Sequence, residues 1–129
     1  RMLTRRHTLA LLAAALAVPA TLTRAATAVA RGPLVGASNH ITTGSVTIAE
    51  AGGAHYVLLG DDFSFDGAPD PKVALGKDGY DASTLMGLLE ANEGASQYRI
   101  PDGIDVSAYN EVWIWCERFN VPLGVAKLS

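Results

Sequence analysis

Cys116 is the residue whose side chain could carry the most distinctive chemistry, because it is the only cysteine in the 129-residue chain. A thiolate can act as a nucleophile or a metal ligand, whereas a buried thiol behaves as a small, inert hydrophobe. The chain offers no partner for an internal disulfide, so an unpaired cysteine indicates a free thiol, a bridge between two chains or a ligand. The functional and the structural interpretation of Cys116 both stay open at this point.

His40 is the second candidate ligand. Imidazole together with thiolate can hold zinc, copper or haem iron, so His40 and Cys116 form the pair of interest. His55 is expected in the returning strand of a hairpin, where the tight turn at Gly52-Gly53 pairs it with Glu50 or its neighbours. The two histidines are therefore not expected to share one metal ion.

Clustered aspartates raise the question of calcium, which prefers carboxylate oxygens. Their spacing does not follow an EF-hand and two phenylalanines interrupt it, so a solvated acidic loop is the preferred interpretation of Asp61, Asp62, Asp66 and Asp70. Asp70 follows Pro69 and is expected to accept backbone N–H bonds in a turn.

The element that must position Cys116 is a predicted strand from Val112 to Phe119, which is rich in β-branched and aromatic residues. Alternation places Cys116 on an apolar core face and places Trp113 and Trp115 on the other face. The two indoles could stack sugar rings, although packing is the commoner role. Arg118 should share the face of Cys116 and favour its thiolate, so we expect a partly accessible thiol near a sheet edge, with Arg118 or His40 beside it.

Short apolar segments separated by Gly, Pro and Asp turns, with no amphipathic helix of ordinary length, define the fold class. They predict an all-β single domain, an antiparallel β-sandwich or barrel of six to eight short strands. The expected strands are 40–50, 55–59, 71–75, 96–100, 112–119 and 121–128.

The beginning of the chain has the order of a secretory signal peptide. A basic segment precedes an uncharged run from Thr8 to Val18, and two A-x-A cleavage sequences follow at 26–28 and 28–30. The segment 4–9 also resembles a twin-arginine export motif. We therefore expect a cleavable signal over residues 1–30, a linker over 31–39 and a domain over 40–129. The expected location is periplasmic or extracellular, with membrane contact only through an uncleaved signal.

Charge and missing motifs exclude several function classes. Residues 1–30 hold four of the ten Lys and Arg residues and none of the thirteen acidic ones, so the remainder carries a net charge of −7 with His neutral. That charge disfavours nucleic acid and anionic lipid as partners. The chain has no G-x-S-x-G, C-x-x-C or H-E-x-x-H sequence, and we do not assign it as an enzyme. A monomer is expected, with a disulfide-linked dimer through Cys116 as the alternative.

Several ordered segments together resemble the electron-transfer DM-thirteen (DM13) domain family. They are His40 with 44–48, then 58–63, 68–70, 94–101, 105–109, 112–119 and 124–126. The resemblance implies a small extracytoplasmic β domain that transfers electrons with an unidentified partner protein. It also implies a nearly invariant cysteine, here Cys116, acting as a bare thiol or as a ligand of a group such as haem, with His40 as the upstream histidine.

This chain departs from the family pattern in its acidic loop, where Ala68 replaces the usual glycine and residues 64–67 lengthen the loop. A haem, a metal ion and no cofactor all stay open. The alternative function is a non-catalytic binding module for a glycan, calcium or a protein, with a structural cysteine.

Overall fold

A computed structural model of the protein describes residues 26–129. Most of the predicted signal peptide lies outside the described residues. The described part contains strands and two single turns of 3-10 helix, at Ala82–Thr84 and Val106–Ala108, and it has no helix long and apolar enough to cross a membrane. The strands are β1 Thr27–Gly36, β2 Thr42–Thr43, β3 Ser45–Ala51, β4 Ala54–Leu59, β5 Ser64–Phe65, β6 Pro71–Gly76, β7 Ser96–Arg99, β8 Glu111–Cys116 and β9 Val121–Lys127.

Seven of these strands form one antiparallel sheet in the order β6-β8-β9-β1-β3-β4-β7, and β2 pairs with β5 in a small second sheet. The large sheet curls into a nearly closed barrel, which confirms the all-β prediction. The sheet order ends in β7, the shortest of the seven strands, and in β6, which starts at Pro71, as expected for a strand at a sheet edge.

The β3–β4 hairpin is formed as its sequence predicts. Gly52 and Gly53 occupy the turn with φ values of +59° and +82°, a backbone conformation that suits glycine and the two-residue turns of twisted hairpins. Glu50 pairs with His55, as expected. The register directs Val46, Ile48, Val57 and Leu59 into the core, where all four are almost fully buried.

The expected linker at 31–39 is wrong for its first six residues, because they belong to β1. This strand lies in the middle of the large sheet: residues 27–33 pair with β3 and residues 34–36 pair with β9. Gly32 is required there, since a Cβ at this position would collide with the backbone carbonyl of Lys127. The folded domain therefore starts well before residue 40, and the two A-x-A sequences lie at its first strand.

The interior row of β8 is confirmed. Val112, Ile114 and Cys116 are at most 1% exposed, whereas Trp113 and Trp115 face outward and are half-buried. Neighbouring strands supply matching inward residues, such as Leu75 of β6 beside Val112. Burial of such apolar side chains is the main stabilising contribution to the sheet.

Candidate functional site

Cys116 is the last residue of β8, where it pairs with Pro71 of β6 and Val121 of β9. Its side chain is 1% exposed, and it belongs to the same hydrophobic core as Ile114 and Leu123. The expectation of a partly accessible thiol is wrong. The alternation of β8 continues to its final residue and directs the sulfur inward.

Arg118 does not share the face of Cys116, contrary to the sequence-based expectation. The strand ends at Cys116, and the chain turns over residues 117–120, all of which are exposed. The Arg118 guanidinium carbon lies 5.8 Å from the centre of the Phe119 ring, and its backbone N–H donates to Asp70 Oδ2 at 2.9 Å. The physical reason is the hairpin turn, which interrupts the two-residue period before Arg118 is reached.

Asp70 fastens this turn, as the sequence predicts for a carboxylate that accepts backbone N–H bonds. Its carboxylate accepts from Arg118, and its backbone carbonyl accepts the N–H of Glu117 at 3.2 Å. Lys72 Nζ lies 3.5 Å from Asp70 Oδ1 and also donates to Glu117 Oε1. The bond to Glu117 comes first among the causes that raise the pKa of Lys72. These contacts join the start of β6 to the turn after Cys116.

His40 lies in a loop with its ring already engaged. Its Nδ1 is 2.8 Å from Asp66 Oδ1, and its ring centroid is 5.6 Å from that of Phe65. The other Asp66 oxygen accepts the N–H of Ile41 at 2.9 Å, and this bond, followed by the one to His40, lowers the pKa of Asp66. The arrangement accounts for His40 as a structural loop residue, and its role as a ligand stays a prediction.

The outward aromatic side chains contact one another. Trp115 is stacked on Tyr80, with ring centroids 3.9 Å apart and an angle of 8°, and Trp113 meets Trp115 edge to face at 5.8 Å. The indole N–H of Trp115 donates to Asn120 Oδ1 at 3.2 Å. Because Tyr80 occupies one face of Trp115, this cluster favours packing on the outer surface of β8 over a flat platform for sugar rings. No pattern in the sequence distinguishes Tyr80, which lies in a turn-rich loop.

Glu111, at the other end of β8, is a buried carboxylate that the sequence reasoning missed. It is 1% exposed, its Oε1 accepts from the Gly79 N–H at 2.9 Å and the Trp113 indole N–H at 3.0 Å, and its Oε2 accepts from Lys127 Nζ at 2.6 Å. Burial acts to raise its pKa, but the bonds from Lys127, Gly79 and Trp113 outweigh burial and lower the pKa. Gly79 and Lys127 are distant from Glu111 in sequence, so no local pattern indicates this network.

A comparison with models of protein families shows which family the chain belongs to. The family model described as Electron transfer DM13 matches residues 34–128, which is more than half of the chain. The chain belongs to the DM13 family. No curated protein and no solved structure matches it. The match begins within β1 and ends after β9, so this DM13 domain includes both Cys116 and His40.

The residues around Cys116 do not fit a haem or a metal ion in this conformation of the DM13 domain. The sulfur is enclosed in the apolar core, which leaves no open side for a macrocycle. Within residues 26–129 no group of three or more His, Cys, Asp or Glu side chains could hold a metal ion. The carboxylates of Asp62, Asp66 and Asp70 each accept a backbone N–H instead. A bare thiol is therefore the form of Cys116 that the surrounding residues accommodate.

Proposed function

We propose that this exported DM13 domain takes part in electron transfer through the bare thiol of Cys116. One observation carries the proposal: the chain belongs to an electron-transfer family and contains a single cysteine, which lies inside the matched region. The basic and apolar N-terminal segment supports export to the periplasm or the extracellular space. The redox partner is then a protein or small molecule that carries a disulfide.

The chemistry of the proposal is thiol–disulfide exchange. The Cys116 thiolate attacks one sulfur of the partner disulfide, a new S–S bond forms, and the second partner sulfur leaves as a thiolate. A thiolate of a reductant then attacks the mixed disulfide at the partner's sulfur, which releases the Cys116 thiolate and forms a new disulfide. A second reductant thiolate attacks this new disulfide at the reductant's sulfur, which releases the remaining partner sulfur as a thiolate and leaves the reductant as its own disulfide. Two electrons have then passed from two reductant thiols to the original disulfide, and the two partner thiolates take up the protons that the reductant thiols released.

The first experiment compares the exported protein with its Cys116→Ala variant, after purification from the compartment to which it is exported. Each protein is examined by absorption spectroscopy and metal analysis. It is then incubated with glutathione disulfide, and its mass is measured by mass spectrometry. We expect a colourless, metal-free wild-type protein that gains one glutathione and loses it with dithiothreitol, and no adduct in Cys116→Ala.

Trp113→Phe is the control, since it changes the outer face of the same strand and should keep the adduct. A Soret band or a stoichiometric metal lost in Cys116→Ala would replace the bare thiol with a ligand role. A wild-type protein that forms no adduct, even when incubation is extended to days, would contradict the proposal.

A further inference from the structure

The end of the β8–β9 hairpin, defined here as residues 116–121, is fastened differently from the rest of the sheet. Cys116 and Val121 form its last strand pair, and the four residues between them make the turn. None of those four side chains enters the core, and the apolar ring of Phe119 is 59% exposed. Hydrophobic burial therefore contributes little to holding the turn in place.

Polar contacts from two neighbouring residues hold this end instead. Asp70 binds the N–H groups of Glu117 and Arg118, and Lys72 bridges Asp70 and Glu117. Trp115 adds one side-chain bond to Asn120. Segments with few buried contacts and exposed hydrogen bonds open at a lower free energy than the whole domain unfolds.

We propose that the hairpin end is a locally opening strap and that Asp70 is the latch that controls access to Cys116. The inference rests on the proposed function, because a thiol that is 1% exposed cannot meet a disulfide until the strand end moves. Opening releases Cys116 from its terminal pairs with Val121 of β9 and Pro71 of β6 and brings the sulfur to solvent, while the inner pairs of the sheet stay formed. Asp70 is thus a positioning residue, since it acts on the thiol through the turn.

The test measures the rate at which iodoacetamide alkylates Cys116 in the folded full-length protein. The thiolate attacks the methylene carbon, the sulfur–carbon bond forms, iodide leaves, and the thiol proton passes to the buffer. We expect labelling of the wild-type protein that hardly changes with urea below the unfolding transition, because a local opening exposes little surface. Asp70→Ala should label about tenfold faster, which corresponds to a decrease of about 1.4 kcal/mol in the free energy of the local opening.

Asp105→Ala is the matched control. Asp105 makes the same kind of contact elsewhere, accepting from the Ser107 N–H at 3.1 Å and its hydroxyl at 2.6 Å. This variant should label at the wild-type rate. Lys72→Met is a second test variant that keeps Asp70 and removes the ammonium, and it should also accelerate labelling, which keeps the proposal testable if Asp70→Ala does not fold.

The local opening would be refuted if the labelling rate rose with urea as steeply as global unfolding does. This result would have to hold in the wild-type protein and in Asp70→Ala and Lys72→Met. Equal acceleration in Asp105→Ala would overturn the role of Asp70. The outcomes separate this inference from the proposed function. A reversible glutathione adduct formed only through global unfolding refutes the strap alone. Urea-independent alkylation without any exchange with disulfides refutes the redox role alone.

Discussion

Replacement of Glu111 tests whether one buried carboxylate holds together the end of β8 that lies opposite Cys116. The side chain accepts hydrogen bonds from the backbone N–H of Gly79, the indole N–H of Trp113 and the ammonium of Lys127. Glu111→Ala removes both acceptor oxygens and leaves the first two donors without their partner. Glu111→Gln keeps the one oxygen that accepts from Gly79 and Trp113, and it loses only the charged pairing with Lys127.

The magnitudes follow from these contacts. A partly buried donor that loses its acceptor lowers the free energy of unfolding by about 1–3 kcal/mol. Trp113 is half-buried and can recover a bond to water. We therefore expect Glu111→Ala to lower the free energy of unfolding by about 2–4 kcal/mol. Glu111→Gln should cost about 1 kcal/mol. Lys127→Ala should cost less than Glu111→Ala, because the Lys127 side chain is 72% exposed and Glu111 keeps its bonds from Gly79 and Trp113.

The assay is urea unfolding followed by tryptophan fluorescence, repeated between pH 3 and pH 7. The folded-state pKa of Glu111 lies below its ordinary value of 4.5, so its contribution is fully present above about pH 4.5 and is lost as the pH falls through the lowered value. The wild-type protein should therefore lose more stability than Glu111→Gln over that acid range.

Two results would refute this reasoning. One is a loss of stability in Glu111→Ala that is no larger than that in Lys127→Ala. The other is an identical pH dependence of the wild-type protein and Glu111→Gln between pH 3 and pH 5, which would mean that Glu111 has the same pKa in the folded and unfolded states.

Three further predictions concern other parts of the sheet. A chain that starts at Arg31 should melt at a lower temperature than one that starts at Ala26, because it loses the backbone pairs of Thr27, Ala28 and Ala30 with β3; calorimetry of the two proteins measures this. Gly52→Asn should stabilise the protein by about 0.4–1 kcal/mol in urea unfolding, since asparagine tolerates the turn conformation and orders the unfolded chain more than glycine does. Cys116→Ser should be less stable in the same assay than Cys116→Ala by about 1 kcal/mol, because the core offers its hydroxyl no partner.

The sequence was a good guide where a local pattern determines the structure. The Gly52-Gly53 turn set the register of its hairpin, and the alternation in β8 placed Cys116 and the two tryptophans on the correct faces. Both depend on neighbours along the chain and on the two-residue period of a strand.

The strand β1 could not be predicted in the same way. It contains Gly32, Pro33 and Gly36, which are typical of loops, and its exposed and half-buried residues do not alternate cleanly. Its stability as a strand comes from pairing with β3 on one side and β9 on the other. Such pairing is tertiary and outweighs local propensity.

The prediction for Arg118 was wrong, and the Glu111 network was missed, for a related reason. The position of Arg118 depended on where β8 ends, and the turn that follows this end is held by Asp70, which lies 48 positions away along the chain. The Glu111 network likewise joins residues 16 and 32 positions apart along the chain. A pattern in the sequence identifies which side chains have useful chemistry, and the long-range contacts decide which of them meet.

The central place of β1 also has a kinetic consequence. The strand that comes first in the described chain is completed only by the last one, since Leu34 pairs with Ala126 and the backbone of Arg31 exchanges two hydrogen bonds with Ser129. During synthesis from the N-terminus, the sheet cannot close until the last strand, β9, has left the ribosome. Contacts between such distant residues slow folding, so the domain should fold after its synthesis rather than during it.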